Sequence, residues 1–303
     1  DPAQGSRLFR PGDDPVCRLR FVGEQRHVYG VKRLCRVLGV SRSGFYAWLG
    51  RPPSARSVSD AELAGMIVEI HQRSRRTYGA PRVHAELARL GRPCGRKRVA
   101  RLMRSQQLVG VHARRRWRRG RPDTAHAPDL VQRNFNPTGP DRLWAADVTQ
   151  FRTGEGWLHL AAVIDLWSRR VVGWAMGPTV NAELVSDALV MAFQRRRPDR
   201  RVVHHSDRGA AYTSLAFSRR VVELEVDQSF GSTGDCYDNA AVESFFATLK
   251  RELAWIHATK HWPTRTALRS ALFDYIEGFY NPERIQHRLG HRSPIIYEQD
   301  SAA

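Results

Sequence analysis

The sequence is poor in cysteine, in lysine and in long apolar runs, and each shortage narrows what the chain can be. Its four cysteines, Cys17, Cys35, Cys94 and Cys236, are scattered through 303 residues with no C-x-x-C pair. That spacing argues against a disulfide framework and against a cysteine zinc site, and it fits a reducing compartment. No run of 18 apolar residues occurs, so neither a transmembrane helix nor a membrane partner is expected. The opening Asp1-Pro2-Ala3-Gln4-Gly5 carries no apolar signal region, so the expected location is cytoplasmic. The missing initiator methionine is expected of a trimmed chain or of part of a longer reading frame. Lysine supplies four of the 49 basic residues, and arginine the rest. Guanidinium grips phosphate bidentately, so this imbalance points to a phosphate-bearing partner.

The formal net charge is +19. It is not spread evenly: residues 1–133 hold 29 basic and 10 acidic side chains, whereas residues 134–303 hold 20 of each. With 42% hydrophobic residues, eight Trp and twelve Phe, the chain can bury a core. Length and charge together predict a basic helical region at 1–57, a second at 58–113, a basic linker at 114–139 and a balanced domain at 140–303.

In the basic part, Val31, Leu34 and Leu38 recur at helical spacing, Gly39-Val40-Ser41 turns the chain, and Ser41 can cap a helix carrying Phe45 and Trp48. Helix, short glycine turn and helix is a helix-turn-helix pattern, with an ordinary helical hairpin as the alternative. After the Pro52-Pro53 break, a helix is expected over about 61–74. A second helix-turn-helix candidate follows, with Val83 and Leu87 on one helix and Val99, Leu102 and Met103 on the next. That last helix also carries Arg96, Lys97, Arg98, Arg101 and Arg104. Few acids interleave, so these side chains are candidates for DNA contact rather than a merely solvated face. Arg114, Arg115, Arg116, Arg118 and Arg119 flank Trp117 in the densest charge block, read either as a DNA-holding arm or as a solubilising tail.

Past Pro140 the texture changes. Leu143–Phe151, Trp157–Leu166 and Arg170–Met176 read as a three-stranded meander. A helix over Asn181–Arg195, a strand ending at His205, a helix over Ser214–Leu224, a strand to Phe230 and a long helix from Asp238 follow. The expected fold class is α/β: a mixed sheet with helices on its faces, preceded by all-α helix-turn-helix modules.

Three acids stand out in this domain. Asp147 lies within the first apolar strand, where an unpaired acid is costly. Asp207 ends the fourth strand, and Glu243 sits on the long helix beside its apolar stripe. Crowded carboxylates resist joint ionisation, and a hard divalent cation such as Mg²⁺ or Mn²⁺ resolves the conflict. Thirty-five residues separate Asp207 from Glu243. With His205-Ser206-Asp207-Arg208-Gly209, Val163–Trp174, Asp238–Phe246 and the tail from Asn281 through Arg284 and His287 to Pro294, the chain resembles Asp-Asp-Glu transposases and retroviral-type integrases. It is most similar to second-frame products of bacterial insertion sequences.

The resemblance implies a ribonuclease H-like core in which Asp147, Asp207 and Glu243 are the catalytic, metal-binding triad, holding two Mg²⁺ or Mn²⁺ ions. It places Lys250, two helical turns after Glu243, on a DNA phosphate. It further implies nicking and strand transfer at terminal inverted repeats, joining to target DNA, a homo-oligomeric synaptic complex, an upstream-frame partner product and association with the bacterial nucleoid. Ala210-Ala211 departs from the polar pair common among relatives. Two rivals remain: a non-catalytic DNA-binding repressor of its own element, and a metal-dependent nuclease that nicks without joining. Asp165, a fourth acid, is expected to be a structural cap or to help shape the site, with direct metal ligation as the lesser alternative. Of His204 and His205, one is expected in the core and the other lining the DNA groove. Cys236 reads as an apolar filler, and Tyr237, Tyr280 and Tyr297 lack the Arg/His company of a tyrosine recombinase.

Overall fold

A computed structural model describes residues 15–112, 137–230 and 240–302. The arginine block Arg114, Arg115, Arg116, Arg118 and Arg119, together with Cys236, Tyr237 and Asp238, lies outside the described residues. The chain divides into two compact units, Asp1–Leu63 and Ala64–Ala303.

The first unit is helical, with α1 (Pro15–Tyr29), α2 (Val31–Leu38) and α3 (Arg42–Leu49). Regular structure thus begins well before Val31, the first residue of the expected helical pair. α1 lacks a continuous apolar stripe, and only Leu19, Phe21 and Val22 join the core formed with Leu34, Cys35, Leu38 and Phe45. The turn between α2 and α3 works as its residues demand. Gly39 ends α2 in the left-handed region at φ 64°, open to glycine without strain. Ser41 then caps α3 by accepting from the Gly44 amide at 2.9 Å.

α4 (Ala55–Arg73) starts six residues earlier than the sequence suggests. Ser54 caps it, accepting from the Ser57 amide at 3.2 Å. In the second unit α5 (Ala80–Arg89) and α6 (Arg96–Ser105) bury Val83, Leu87, Val99, Leu102 and Met103 between them. The Tyr78 hydroxyl fastens this pair to the C-terminal part of the same unit. It accepts from the Ile285 amide at 2.7 Å and donates to the Glu283 carbonyl at 3.2 Å. Trp255 Nε1 donates to the Arg76 carbonyl at 2.9 Å, and Arg75 pairs with Asp274.

The sheet comprises β1 (Leu143–Thr153), β2 (Gly156–Asp165), β3 (Val171–Gly177), β4 (Val203–Ser206) and β5 (Asp227–Phe230), in the order β3-β2-β1-β4-β5. The meander β1–β2–β3 is antiparallel, whereas β4 and β5 pair parallel to β1 and to each other. Parallel neighbours need crossovers, supplied here by α7 (Ala182–Arg196) and α8 (Leu215–Glu223). Asn181 and Ser214 cap these helices. One sheet face, with Trp144, Ala146, Val163 and Val172, packs on Leu184, Ala188 and Leu189 of α7 and Phe217 and Val221 of α8. Gly173 lets α7 approach, since a Cβ there would fall 2.1 Å from the Ala188 carbonyl oxygen.

Against the other face lie α9 (Ala240–Ile256), over β1, and α10 (Arg265–Tyr275), over β2. A π-helical turn (Ile276–Tyr280), a 3₁₀ turn (His287–Leu289) and α11 (Pro294–Ala302) follow. The Asn281 side chain covers the edge of β3, accepting from the Val171 amide and donating to its carbonyl, both at 3.0 Å. Asp165 is the cap its sequence context suggests. Fully buried, its carboxylate accepts from the amides of Asp141, Trp167 and Ser168 at 2.7–2.9 Å.

Candidate active site

The geometry of the site begins with strand length. β4 is four residues long and β1 eleven, so β1 loses its parallel neighbour partway along. The register sets Ala145 opposite His205. Two residues beyond each of these stand Asp147, still within β1, and Asp207, one residue past the end of β4. A cavity of about 580 Å³ opens where the ladder stops, and Asp147, Thr149, Asp207, Gly209 and Tyr212 line it. Ala210 and Ala211 also line this cavity.

The two acids differ in environment. Asp207 is exposed, and its Oδ1 accepts from the Gly209 amide at 3.1 Å in a tight turn. Asp147 is half-buried and accepts from the Val148 amide at 2.7 Å. Burial pushes its carboxyl up to about 6; the negative charges of Asp207 and Glu243 add to the rise, and the Val148 amide and Lys250 oppose it. Glu243 stands exposed in the first turn of α9 and does not line the cavity. Lys250 follows on the same helix, with its Nζ 5.3 Å from the centroid of the Phe151 ring. Phe151 lies four residues after Asp147 on the same face of β1. Burial pulls the Lys250 ammonium below its usual range, and Asp147 counters that pull.

The oxygen-only donors Asp147 and Asp207 suit a hard divalent cation, and their mutual repulsion with Glu243 is the kind of strain that such a cation relieves. Among the described residues, no three His, Cys, Asp or Glu side chains stand close enough to hold a metal ion. The donor chemistry of Asp147 and Asp207, on one cavity wall, fits such a cation, and Glu243 acts on Asp147 through its charge without completing a three-residue set.

Both histidines before Asp207 are fully buried. His204 packs between Tyr212 and Phe217, with ring centroids 5.9 and 5.5 Å away, and burial lowers its pKa to about 4. His205 Nδ1 meets the Ser229 hydroxyl at 3.1 Å. Neither lines a groove, contrary to the expectation for one of them, because β4 is covered on both faces. Tyr212 is a neighbour of the acids that sequence reasoning missed. Burial raises its hydroxyl well above the usual range, and Asp147 and Asp207 add to that rise. Tyr280 is buried against Phe245, and Tyr297 packs on Trp167.

Away from this site, α6 carries the basic side chains expected on it. Arg96, Lys97, Arg101 and Arg104 are exposed and Arg98 is half-buried, on the side away from Val99, Leu102 and Met103.

Comparison with known proteins places these observations. Residues 137–236 match the family model for an integrase core domain, residues 243–301 match a second model of the same description, and residues 58–116 match an HTH-like domain. The Transposase InsF for insertion sequence IS3A of Escherichia coli (strain K12) is 39% identical over 290 residues, covering 93% of this chain and 99% of that protein. The insertion element IS600 uncharacterized 31 kDa protein of Shigella sonnei is 39% identical over 274 residues, covering 88% and 97%. Among solved structures, the HTLV-2 integrase catalytic core domain in complex with magnesium superposes with a TM-score of 0.40 at 16% identity, over 52% of this chain and 95% of that one. The catalytic core domain of BIV integrase gives 0.40 at 21%, over 54% and 96%.

Proposed function

The chain belongs to the family of insertion-sequence transposases that includes InsF, and from that premise we propose how its residues divide the work of nicking element ends and transferring strands. The observation that carries the reading is the register of β1 and β4, which sets Asp147 beside Asp207 with Glu243 and Lys250 within electrostatic reach. Asp147, Asp207 and Glu243 are the catalytic carboxylates, and they hold two divalent cations, Mg²⁺ or Mn²⁺. When bound, these cations supply Lewis acidity to the attacking hydroxyl and neutralise charge on the phosphate.

The protein's own contribution is placement. Asp147, half-buried, is a fixed point on the central strand, while Asp207 sits in a turn held by the Gly209 amide. Their cavity admits a phosphodiester in line with water, and later in line with the freed 3′-hydroxyl. The attacking oxygen bonds to phosphorus as the bond to the leaving 3′-oxygen breaks, so no covalent protein–DNA intermediate is needed. Lys250 holds a phosphate next to the reacting one.

Arg96, Lys97, Arg98, Arg101 and Arg104 on α6, with Arg114, Arg115, Arg116, Arg118 and Arg119 of the linker, contact terminal inverted repeats and target DNA. Phosphate contacts give position, and base contacts give sequence. The protein works as a homo-oligomer in a synaptic complex, joined by an upstream-frame product, in the bacterial cytoplasm. Among the described residues no helix is long and apolar enough to cross a membrane.

Labelled element-end DNA, incubated with Mg²⁺ or with EDTA, tests the reading. Wild-type protein should nick and join in Mg²⁺ only, and Asp207→Asn should do neither. Absence of metal-dependent cleavage, even with the upstream-frame product supplied, would leave a DNA-binding repressor. Nicking without joining would leave a nuclease.

A further inference from the structure

A second cavity, of about 450 Å³, lies on another flank of α9. Its lining includes the guanidinium groups of Arg82, Arg169, Arg284 and Arg288 and the hydroxyl-bearing Ser244 and Thr248. No carboxylate is among its described lining residues. Arg284 and Arg82 share the acid Glu252, which takes two hydrogen bonds from Arg284 at 2.7 Å and stands 3.5 Å from Arg82. One carboxylate therefore serves two guanidiniums, and the Arg169 Nε is buried without a hydrogen-bond partner. A buried donor with no acceptor is costly, and it marks a place where an acceptor is wanted. Burial, with Arg288 adding to it, lowers Arg169 to about 10 even though Tyr280 and Asp165 oppose the fall, so part of the cost of its charge is left for an anion to offset.

We infer that this cavity binds a phosphate group, with Arg169 as its principal donor and Arg288, Ser244 and Thr248 around it. Several guanidiniums with two hydroxyls match a tetrahedral oxyanion, whereas a carboxylate would use only part of the set. The pocket rests on the proposed function above for its role. Ser244 follows Glu243 directly in sequence and Thr248 lies one turn on, so pocket and carboxylates occupy neighbouring flanks of one helix about 10 Å across. Duplex DNA rises about 3.4 Å per nucleotide. A strand with its reacting phosphate at the acids would bring a nearby phosphate of the same backbone to the pocket. Two sources supply this chemistry, a DNA phosphodiester and free inorganic phosphate.

Binding in EDTA separates this inference from catalysis. Wild type, Arg169→Gln, Thr248→Glu and the charge-matched surface control Arg219→Gln are titrated with labelled element-end duplex from 50 to 300 mM NaCl. Folding of each is checked by circular dichroism. Arg169→Gln should bind about tenfold more weakly at low salt and lose about one unit of the slope of log K against log salt, as should Thr248→Glu. Arg219→Gln should keep a slope closer to wild type. In the second arm, inorganic phosphate should raise the melting temperature of wild type but not of Arg169→Gln if the pocket takes the free ion. A change confined to the DNA arm assigns the pocket to the DNA backbone.

Folded Arg169→Gln and Thr248→Glu proteins with wild-type slopes and no loss of phosphate response would overturn the inference. So would a matching change in Arg219→Gln, which would reduce the effect to bulk charge. Neither result depends on nicking, so the pocket can fail while the carboxylate reading stands, and the reverse.

Discussion

Two carboxylates on α9, nine residues apart, meet opposite fates. Glu252 is buried among partners: Arg284 in a bidentate pair, the Tyr275 hydroxyl donating at 2.7 Å, and Arg82 nearby. Burial alone would raise its carboxyl, but Arg284 and Arg82 outweigh that, and the net shift is downward. Glu243, at the start of the same helix, has acids for company, and the carboxyl it helps to perturb, Asp147, is shifted upward. A carboxylate surrounded by cations holds the fold together. A carboxylate surrounded by carboxylates strains it, as the raised Asp147 carboxyl records, and on the proposed function a divalent cation would relieve that strain. On the proposed function, the two clusters separate stability from catalysis along one helix.

The contrast can be broken in several ways, beginning with the largest effect. Asp207→Asn should cost on the order of a thousandfold in metal-dependent nicking, about 4 kcal/mol of barrier, while leaving the melting temperature within a degree or two of wild type. A large loss of stability instead would mean that Asp207 is structural.

Arg284→Ala should do the reverse. By leaving Glu252 buried without its main partner it should cost about 3–5 kcal/mol of stability, read as a lower denaturation midpoint. Gly173→Val should cost about 1–3 kcal/mol, because its side chain would enter the Ala188 backbone of α7.

The pH dependence of stability distinguishes the two clusters by sign. Asp147 binds its proton more tightly folded than unfolded. Its ionisation therefore lowers stability as pH rises from about 4 to about 6, with no further loss above that. Metal-free Asp147→Asn should consequently be more stable than wild type at pH 7, by on the order of 1–3 kcal/mol, and the difference should vanish below about pH 4. Glu252 has the opposite sign: its lowered pKa contributes stability that is complete above the ordinary glutamate range and is lost as pH falls below it. Glu252→Gln should flatten the acid limb of the stability curve, and an unchanged limb would show that other carboxylates set it. The smallest effect is expected from Lys250→Met, which should weaken binding of element-end DNA by about 1 kcal/mol and reduce its salt dependence by about one phosphate.

How much of this was legible in the chain depends on whether the signal is local. Gly39 and Ser41 announce a turn and a cap, and the structure uses them so. The apolar runs Leu143–Phe151 and Trp157–Leu166 mark two strands of a mixed sheet, which span Leu143–Thr153 and Gly156–Asp165 in the structure, and Asp165 serves as a cap, one of the two roles its context suggests. α1 was not legible, because its few core residues do not make a stripe. The fate of His205 was not legible either, since a histidine beside an acid looks available until β5 and Ser229 cover it. Tyr212 stands 65 positions from Asp147, and Glu252 stands 32 from Arg284, separations that no local pattern encodes.

The sequence by itself determined the α/β class, the division of charge between a basic first part and a balanced second, and the acids worth attention. These are properties of spacing and composition, which exist before the chain folds. Tertiary structure alone decided which acids are strained and which are satisfied. β4 stops after four residues, so Asp147 gains a cavity and a neighbour in Asp207. A carboxyl's proton affinity is set by burial and by charges within a few ångströms, and only the folded chain brings those together.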